Sequence, residues 1–470
     1  MTRGIVGYGV HVPYHRLQRS AINAALGSGG GRGTRSVASY DEDATSMAVE
    51  ASRNMLRSSD LPSPAVVTFS SATPPYLDKT NANAIHAALD LPATVMATDM
   101  AGSARSIHGA LHSALHDSRP VLATVGEVRT GRPGSGDESN LGDAAVSLMI
   151  GTDDDAPVLA EWLGGASATG EFLDRWRQPG WDYSRVWEER FGEAAYAPLV
   201  SEAVNAAFKN TELAAADIDL AIITGLHARA VRSTPGTADL SAVPMAEDLT
   251  ASIGNTGSAH SLLSLCNVLD SATPGQVVML VNLADGCDVT VFRVTDAITS
   301  HQSHAPVSEQ IAAGNDALAY TTFLTWRGFL DREPPRRPDP ASPAAPPSQR
   351  SVGWKYALKA SRDESTGAVH MPPQRVSVKG GAVDEMEPVS MANVAGTVAT
   401  FTIDRLAYSP SPPTIAVVID FDGGGRFTSQ LTDADASEVA IGMRVTMTFR
   451  RMLTANGIHN YFWKATPLRS

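Results

Sequence analysis

Two residues stand where chemistry is usually placed. His227 follows the apolar run DIDLAIITG, and Asn255 lies roughly thirty residues later in a Gly-Asn-Thr loop before the helix pattern HSLLSLCNVLD. An imidazole N–H and an amide N–H aimed at one carbonyl oxygen would form an oxyanion hole for an enolate or alkoxide. The plainer alternative is that His227 caps a strand end and Asn255 shapes a turn. A third feature is TDMAGSARSIHGAL, Thr98 to Leu111. It reads as an apolar lead-in, a small-residue turn through Ala101, Gly102, Ser103 and Ala104, and a helix with Ile107, Ala110, Leu111, Ala114 and Leu115 on one face. Such a turn places backbone N–H groups and a positive helix end at one point, suited to a nucleophile or an oxyanion.

The elements around these residues alternate. Strand-like runs at Gly4 to Pro13, Ala65 to Pro75, Pro120 to Gly131, Gly142 to Gly151, Asp217 to Ala228, Gly275 to Gly286 and Cys287 to Val294 are nearly apolar throughout. Helix patterns separate them, which implies parallel sheets covered on both faces. TFSSATP is answered by ITGLHAR and LATVGEVRTG by LVNLADGCDV, a pseudo-twofold pair of βαβ halves. Ligands in such folds bind beyond the carboxyl ends of the strands, so the turn, His227 and Asn255 are expected in one cleft. An aromatic and charged excursion (Trp162, Trp176, Trp181, Tyr183, Trp187) separates the halves. The boundaries read as 1–155 and 156–330 for the halves, 331–350 for a proline-rich spacer, and 351–470 for a β-rich C-terminal part resembling a five-stranded barrel.

The chain has 470 residues, 43% of them hydrophobic, enough for two or three domains with sizeable cores. A net charge of −13 argues against nucleic-acid and anionic-membrane partners. Two cysteines, Cys266 and Cys287, exclude a disulfide framework and a Cys-rich metal site, and both fall in core-like runs. No apolar run approaches the roughly 20 residues of a membrane span, so a cytoplasmic protein is expected. GSGGGRG, Gly27 to Gly33, lacks the glycine spacing of a phosphate-binding fingerprint. His108, His112 and His116 form an i, i+4, i+8 stripe that could bind zinc, but no carboxylate-flanked HExxH accompanies it, and a solvent or interface face is the better reading.

The central stretch resembles the thiolase superfamily, in particular ketoacyl synthase III and hydroxymethylglutaryl-CoA synthase, where the turn reads D-L-x-A-A-C-x-G-x-x-x-A-L. Asp99 and Leu111 match its ends, and the catalytic cysteine falls on Ala104. The His after the strand and the Asn of the G-N-T loop match His227 and Asn255. The synthase's glutamate would lie in SSATPPYLDK, where Ala72 takes its place beside Tyr76 and Asp78. The resemblance implies an αβαβα fold over residues 1 to about 330, a homodimer, an acyl-CoA or acyl-carrier thioester as substrate, and no cofactor. A methyl group cannot carry an acyl chain, so covalent transfer through residue 104 is excluded. Ser103 could substitute as nucleophile only with a base beside it. Tyr76 could act as a general acid or simply pack under its loop. Arg105 and Arg129 could hold a carboxylate or phosphate, although Arg129 could equally pair with Glu127.

Trp354 to Pro467 resembles the OB-fold domain that accompanies thiolase-like acyl-CoA enzymes, through KYALKASRD, MPPQRVSVKGG, DFDGGGRF and GIHNYFWKATP. That family carries a zinc ribbon of two CxxC pairs. Here the positions are Asp363, Thr366, Ser377 and Gly380, so the metal site is expected to be lost. Two function classes follow from the resemblance. One is a cysteine-free enzyme making or breaking a C–C bond or moving an acyl group on thioesters, as cysteine-free sterol side-chain aldolases of this superfamily do. The other is a non-catalytic subunit that keeps an acyl-thioester pocket.

Overall fold

The computed structural model describes residues 2–333, 336 and 341–469; residues 334–335 and 337–340 of the expected spacer lie outside the described residues. The chain forms two compact units. One comprises Met1–Ala38, Glu50–Ala82 and Ala93–Tyr320, the other Ser39–Val49, Asn83–Pro92 and Thr321–Ser470.

The first unit is built on nine strands: β1 Arg3–His11, β2 Val66–Ser70, β3 Met96–Asp99, β4 Val121–Glu127, β5 Ala144–Thr152, β6 Ala160–Thr169, β7 Leu220–Gly225, β8 Val277–Leu283 and β9 Gly286–Val294. Their order is β7-β8-β9-β6-β1-β5-β4-β2-β3. Pairing is parallel only towards the two ends, at β7/β8 and across β4/β2/β3. The pairs between them are antiparallel, which corrects the expectation of parallel sheets. The order is nonetheless two halves meeting at β1 and β6. β2 answers β7 and β4 answers β8; a single bridge from Ala221 to Met245 stands where the second half would have a counterpart of β3.

The strands β4, β5 and β8 are buried at every position because both faces are covered. Along β8, Val278 and Leu280 enter a core with helices α1 Ser106–His116 and α4 His260–Leu269. The alternate residues Val277, Met279 and Val281 enter another core with Tyr196, Val200, Ala203 and Val204 of α2 Glu189–Thr211. Helix α4 is buried almost all round, as its sequence HSLLSLCNVL requires. The excursion between the halves contains β6, absent from the sequence reading because EWLGGASATG is small and half-exposed instead of apolar.

In the second unit, β10 Gly396–Asp404, β11 Thr414–Phe421, β12 Arg426–Leu431, β13 Arg444–Ala455 and β14 Ile458–Pro467 close a five-stranded barrel in the order β10-β11-β12-β14-β13. Buried and half-buried residues alternate along β11, as a barrel wall demands. Arg450, 2% exposed, meets Asp41 at 3.1 Å and Glu42 at 3.2 Å and also pairs with Asp433, while Lys464 meets Asp41 at 2.8 Å. The four zinc-ribbon positions converge on the Asp363 side chain. The Asp363 carboxylate accepts from Ser365 and Thr366 hydroxyls at 2.7 Å and from Ser377, and Gly380 packs against it.

Candidate active site

The turn between β3 and α1 is anchored to its neighbour strand. Met100 N–H donates to the Phe69 carbonyl and Gly102 N–H to the Ser71 carbonyl. Gly102 sits at φ +112°, a conformation glycine adopts without cost. Asp99 accepts from the Asn81 and Ala82 backbone N–H groups at 2.8 Å and from the Asn81 amide at 2.9 Å, so it holds the start of the Ala82–Ala88 helix. The turn residues Ser103 and Ala104 line a cavity of about 680 Å3. Tyr76, Asp99, Arg129, Arg177, Tyr196 and Asp285 also line it. The Ser103 hydroxyl accepts from Arg105 N–H at 3.3 Å and lies 3.5 Å from the Ser106 hydroxyl. No imidazole or carboxylate among the described residues hydrogen-bonds it, so nothing activates it as a nucleophile.

Arg129 is 5% exposed and pairs with Glu127 at 3.4 Å, the alternative open in the sequence. Glu127, fully buried, also accepts from Ala72 N–H at 2.7 Å and the Ser258 hydroxyl at 2.6 Å. Arg177 donates to the Ala72 carbonyl, and burial beside Arg129 lowers its pKa.

His227 and Asn255 line an adjoining cavity of about 880 Å3, which shares Asp174, Arg175 and Leu226 with the cavity before Ala104. His227 precedes α3 Ala228–Thr237, and its Nδ1 accepts from Ala230 N–H at 3.1 Å. The proton therefore sits on Nε2, which donates to the Glu189 carbonyl at 2.9 Å. The fit requires glycine at 192, whose added Cβ would lie 2.6 Å from Nε2. Asn255 donates to the Gly225 carbonyl and accepts from Gly257 N–H, each at 2.9 Å. Both proposed oxyanion donors thus hold backbone carbonyls of this chain.

Residues 389–450 match the family described as ChsH2, C-terminal OB-fold domain. The hydroxymethylglutaryl-CoA synthase of Methanopyrus kandleri is 28% identical over 346 residues, 70% of this chain and 97% of that protein. That of Pyrococcus furiosus is 26% identical over 338 residues, covering 69% and 95%. Among solved structures, an HMG-CoA synthase complexed with CoA superposes with a TM-score of 0.58 at 16% identity, over 69% of this chain and 90% of that one. The 3-oxoacyl-(acyl carrier protein) synthase III, FabH, of Pseudomonas aeruginosa gives 0.55 at 18%, over 63% and 98%. The fold is thiolase-like, with a C-terminal OB fold.

Within the thiolase-like unit, Arg105 is committed to the protein itself. Its guanidinium grips Asp288 at 2.8 and 2.9 Å, Thr169 at 2.9 Å and the Asp285 carbonyl at 3.0 Å, tying the turn to the β8–β9 hairpin. Arg105 lines a third cavity and not the one before Ala104. Both cysteines are buried, and desolvation pushes the Cys287 thiol up to about 12 and Cys266 well above its usual value. Neither is a thiolate. His108 is buried against the Ser261 hydroxyl at 2.9 Å, its pKa lowered to about 4 by desolvation. His116 lies tilted against His112 and edge-on to Trp162. Among the described residues no group of three metal ligands gathers, and no helix is long and apolar enough to cross a membrane.

Sequence reasoning missed Asp174, Tyr196 and Asp285. The Tyr196 hydroxyl donates to Asp174 at 3.2 Å, and burial beside that carboxylate raises the phenol's pKa strongly. The signal for Asp285 was present: it ends LVNLADG, the run paired with LATVGEVRTG.

Proposed function

We propose that this protein is an enzyme acting on acyl-CoA or acyl-carrier thioesters, making or breaking a C–C bond beside the thioester carbonyl with no covalent acyl-enzyme. The observation that carries this is the cavity before Ala104. It has the volume for an acyl group and an acceptor, and its nucleophile position holds a methyl group. The hydroxymethylglutaryl-CoA synthases and 3-oxoacyl synthase that the chain resembles support the thioester class. In this reading a thioester enolate forms and adds to a carbonyl acceptor, or a β-hydroxyacyl thioester runs the reverse reaction. His227 and Asn255, in the adjoining cavity that shares Asp174, Arg175 and Leu226 with this one, are the oxyanion donors, and the substrate spans both cavities; the thioester oxygen replaces the Glu189 carbonyl on His227 Nε2 and takes the remaining amide proton of Asn255. Tyr76, Arg129 and Arg177 contact the polar parts of the substrates. No metal or cofactor enters, and the homodimer and cytoplasmic setting belong to the same proposal.

A second reading, a thioester-binding subunit without turnover, is favoured by the occupied donors of His227 and Asn255. Product analysis over a panel of acyl-CoA thioesters with aldehyde, ketone and thioester acceptors, and of β-hydroxyacyl-CoA substrates, separates the two. The enzyme reading predicts turnover that falls at least a hundred-fold in His227→Ala. Saturable acyl-CoA binding with no turnover over the panel would establish the subunit reading.

A further inference from the structure

Four aspartates line the cavity before Ala104, and three are accounted for. Asp99 is saturated by the Asn81–Ala82 backbone and the Asn81 amide. Asp174 is buried and accepts from Tyr196. Asp182 is exposed beside Arg177. Asp285 differs from all of them. It sits at the tip of the β8–β9 hairpin at φ +48°, its carboxylate open to the cavity with no hydrogen-bond donor among the described residues. Its backbone is held from both sides, by the Arg105 guanidinium on its carbonyl at 3.0 Å and by a hydrogen bond to Tyr196. Arg105 directly follows Ala104, so the clamp ties the acid to the turn.

We propose that Asp285 is the proton-transferring catalytic residue of this cavity, with Arg105 and Tyr196 as its positioning residues; this rests on the thioester reading above. One carboxylate suffices for an aldol-type reaction. Its oxygen takes a proton from the α-carbon of the thioester, leaving the enolate. The enolate carbon attacks the acceptor carbonyl, the new C–C bond forms, and the resulting alkoxide takes the proton back from Asp285. In reverse, the carboxylate takes the β-hydroxyl proton, the C–C bond breaks, and the same proton returns to the α-carbon. No electrons are gained or lost. Partial desolvation, then repulsion from Asp174 and Glu171, raises the Asp285 pKa against the opposing pull of Arg105, which strengthens it as a base.

The test is exchange of the α-protons of acetyl-CoA and propionyl-CoA in deuterated water, together with turnover of the substrates above. Asp285→Asn keeps size and tolerates the positive φ, so folding is checked but not threatened. Exchange and turnover by the wild type, reduced at least a hundred-fold in Asp285→Asn with melting not lowered, is the expected result. Asp174→Asn removes the main repelling charge and should shift the midpoint of the rate–pH profile downward, which a merely structural role would not do. Exchange or turnover retained in Asp285→Asn overturns the assignment and leaves the thioester reading standing. A wild type that neither exchanges nor turns over overturns both.

Discussion

Glu127 and Asp285 stand at the ends of answering strands, β4 and β8, in the two halves of one pseudo-repeat, yet their surroundings are opposite. Glu127 has no exposure and is held by Ala72 N–H, the hydroxyls of Thr73 and Ser258, and Arg129. Asp285 opens to a cavity with its backbone clamped and its carboxylate unengaged. A carboxylate whose lone pairs are all used holds structure, because moving its proton would break several bonds at once. One that is fixed through its backbone but free at its oxygens can exchange a proton with a substrate. Duplicated architecture thus separates support from chemistry.

The sharpest test of that contrast exchanges the two acids' readouts. Asp285→Asn should lower kcat by about a hundred- to ten-thousand-fold in steady-state assays. Its melting temperature should not fall. The raised pKa means the folded state binds the proton more tightly than the unfolded chain, so ionisation costs stability as pH rises and an uncharged Asn removes that cost. Glu127→Ala should do the reverse, costing about 3–5 kcal/mol in denaturant unfolding because Arg129 is left buried without its partner, while any residual activity keeps the wild-type acid limb. Arg105→Gln should lie between, losing about 2 kcal/mol and part of kcat as the hairpin tip loosens. Ser103→Ala should change kcat less than three-fold, since its hydroxyl only braces the turn.

The second unit offers an independent check on saturated acids. Burial alone would raise the Asp41 pKa, but Lys464 and Arg450 outweigh it and hold it below the ordinary range. A depressed folded value gives stability that is complete above about pH 4 and is lost as pH falls further. Acid unfolding followed by the fluorescence of Trp463, buried in the barrel, should therefore move to higher pH in Lys464→Met.

Much of this fold was legible in sequence because its strands are apolar along their full length and its halves repeat. β2 against β7 and β4 against β8 followed from matching runs, and the barrel from short alternating strands punctuated by Gly and Asp. β6 was hidden because a half-exposed strand of small residues carries no apolar signal. The site divided differently. Ala104 and its cavity-lining turn were readable from spacing, whereas the placing of His227 and Asn255 in an adjoining cavity was not. It depends on the Asp174–Glu189 segment, whose residues line both cavities and whose Glu189 carbonyl meets His227. Asp285 escaped notice because an acid in a turn reads as solvation until its exposure is seen to be a cavity.

Intact-protein mass spectrometry during turnover tests the central claim most directly. Wild-type protein consuming an acyl-CoA substrate, quenched in steady state, should retain its unmodified mass while product accumulates. A population heavier by the acyl group, lost in Ser103→Ala or in a cysteine variant, would contradict the account and restore a covalent acyl-enzyme.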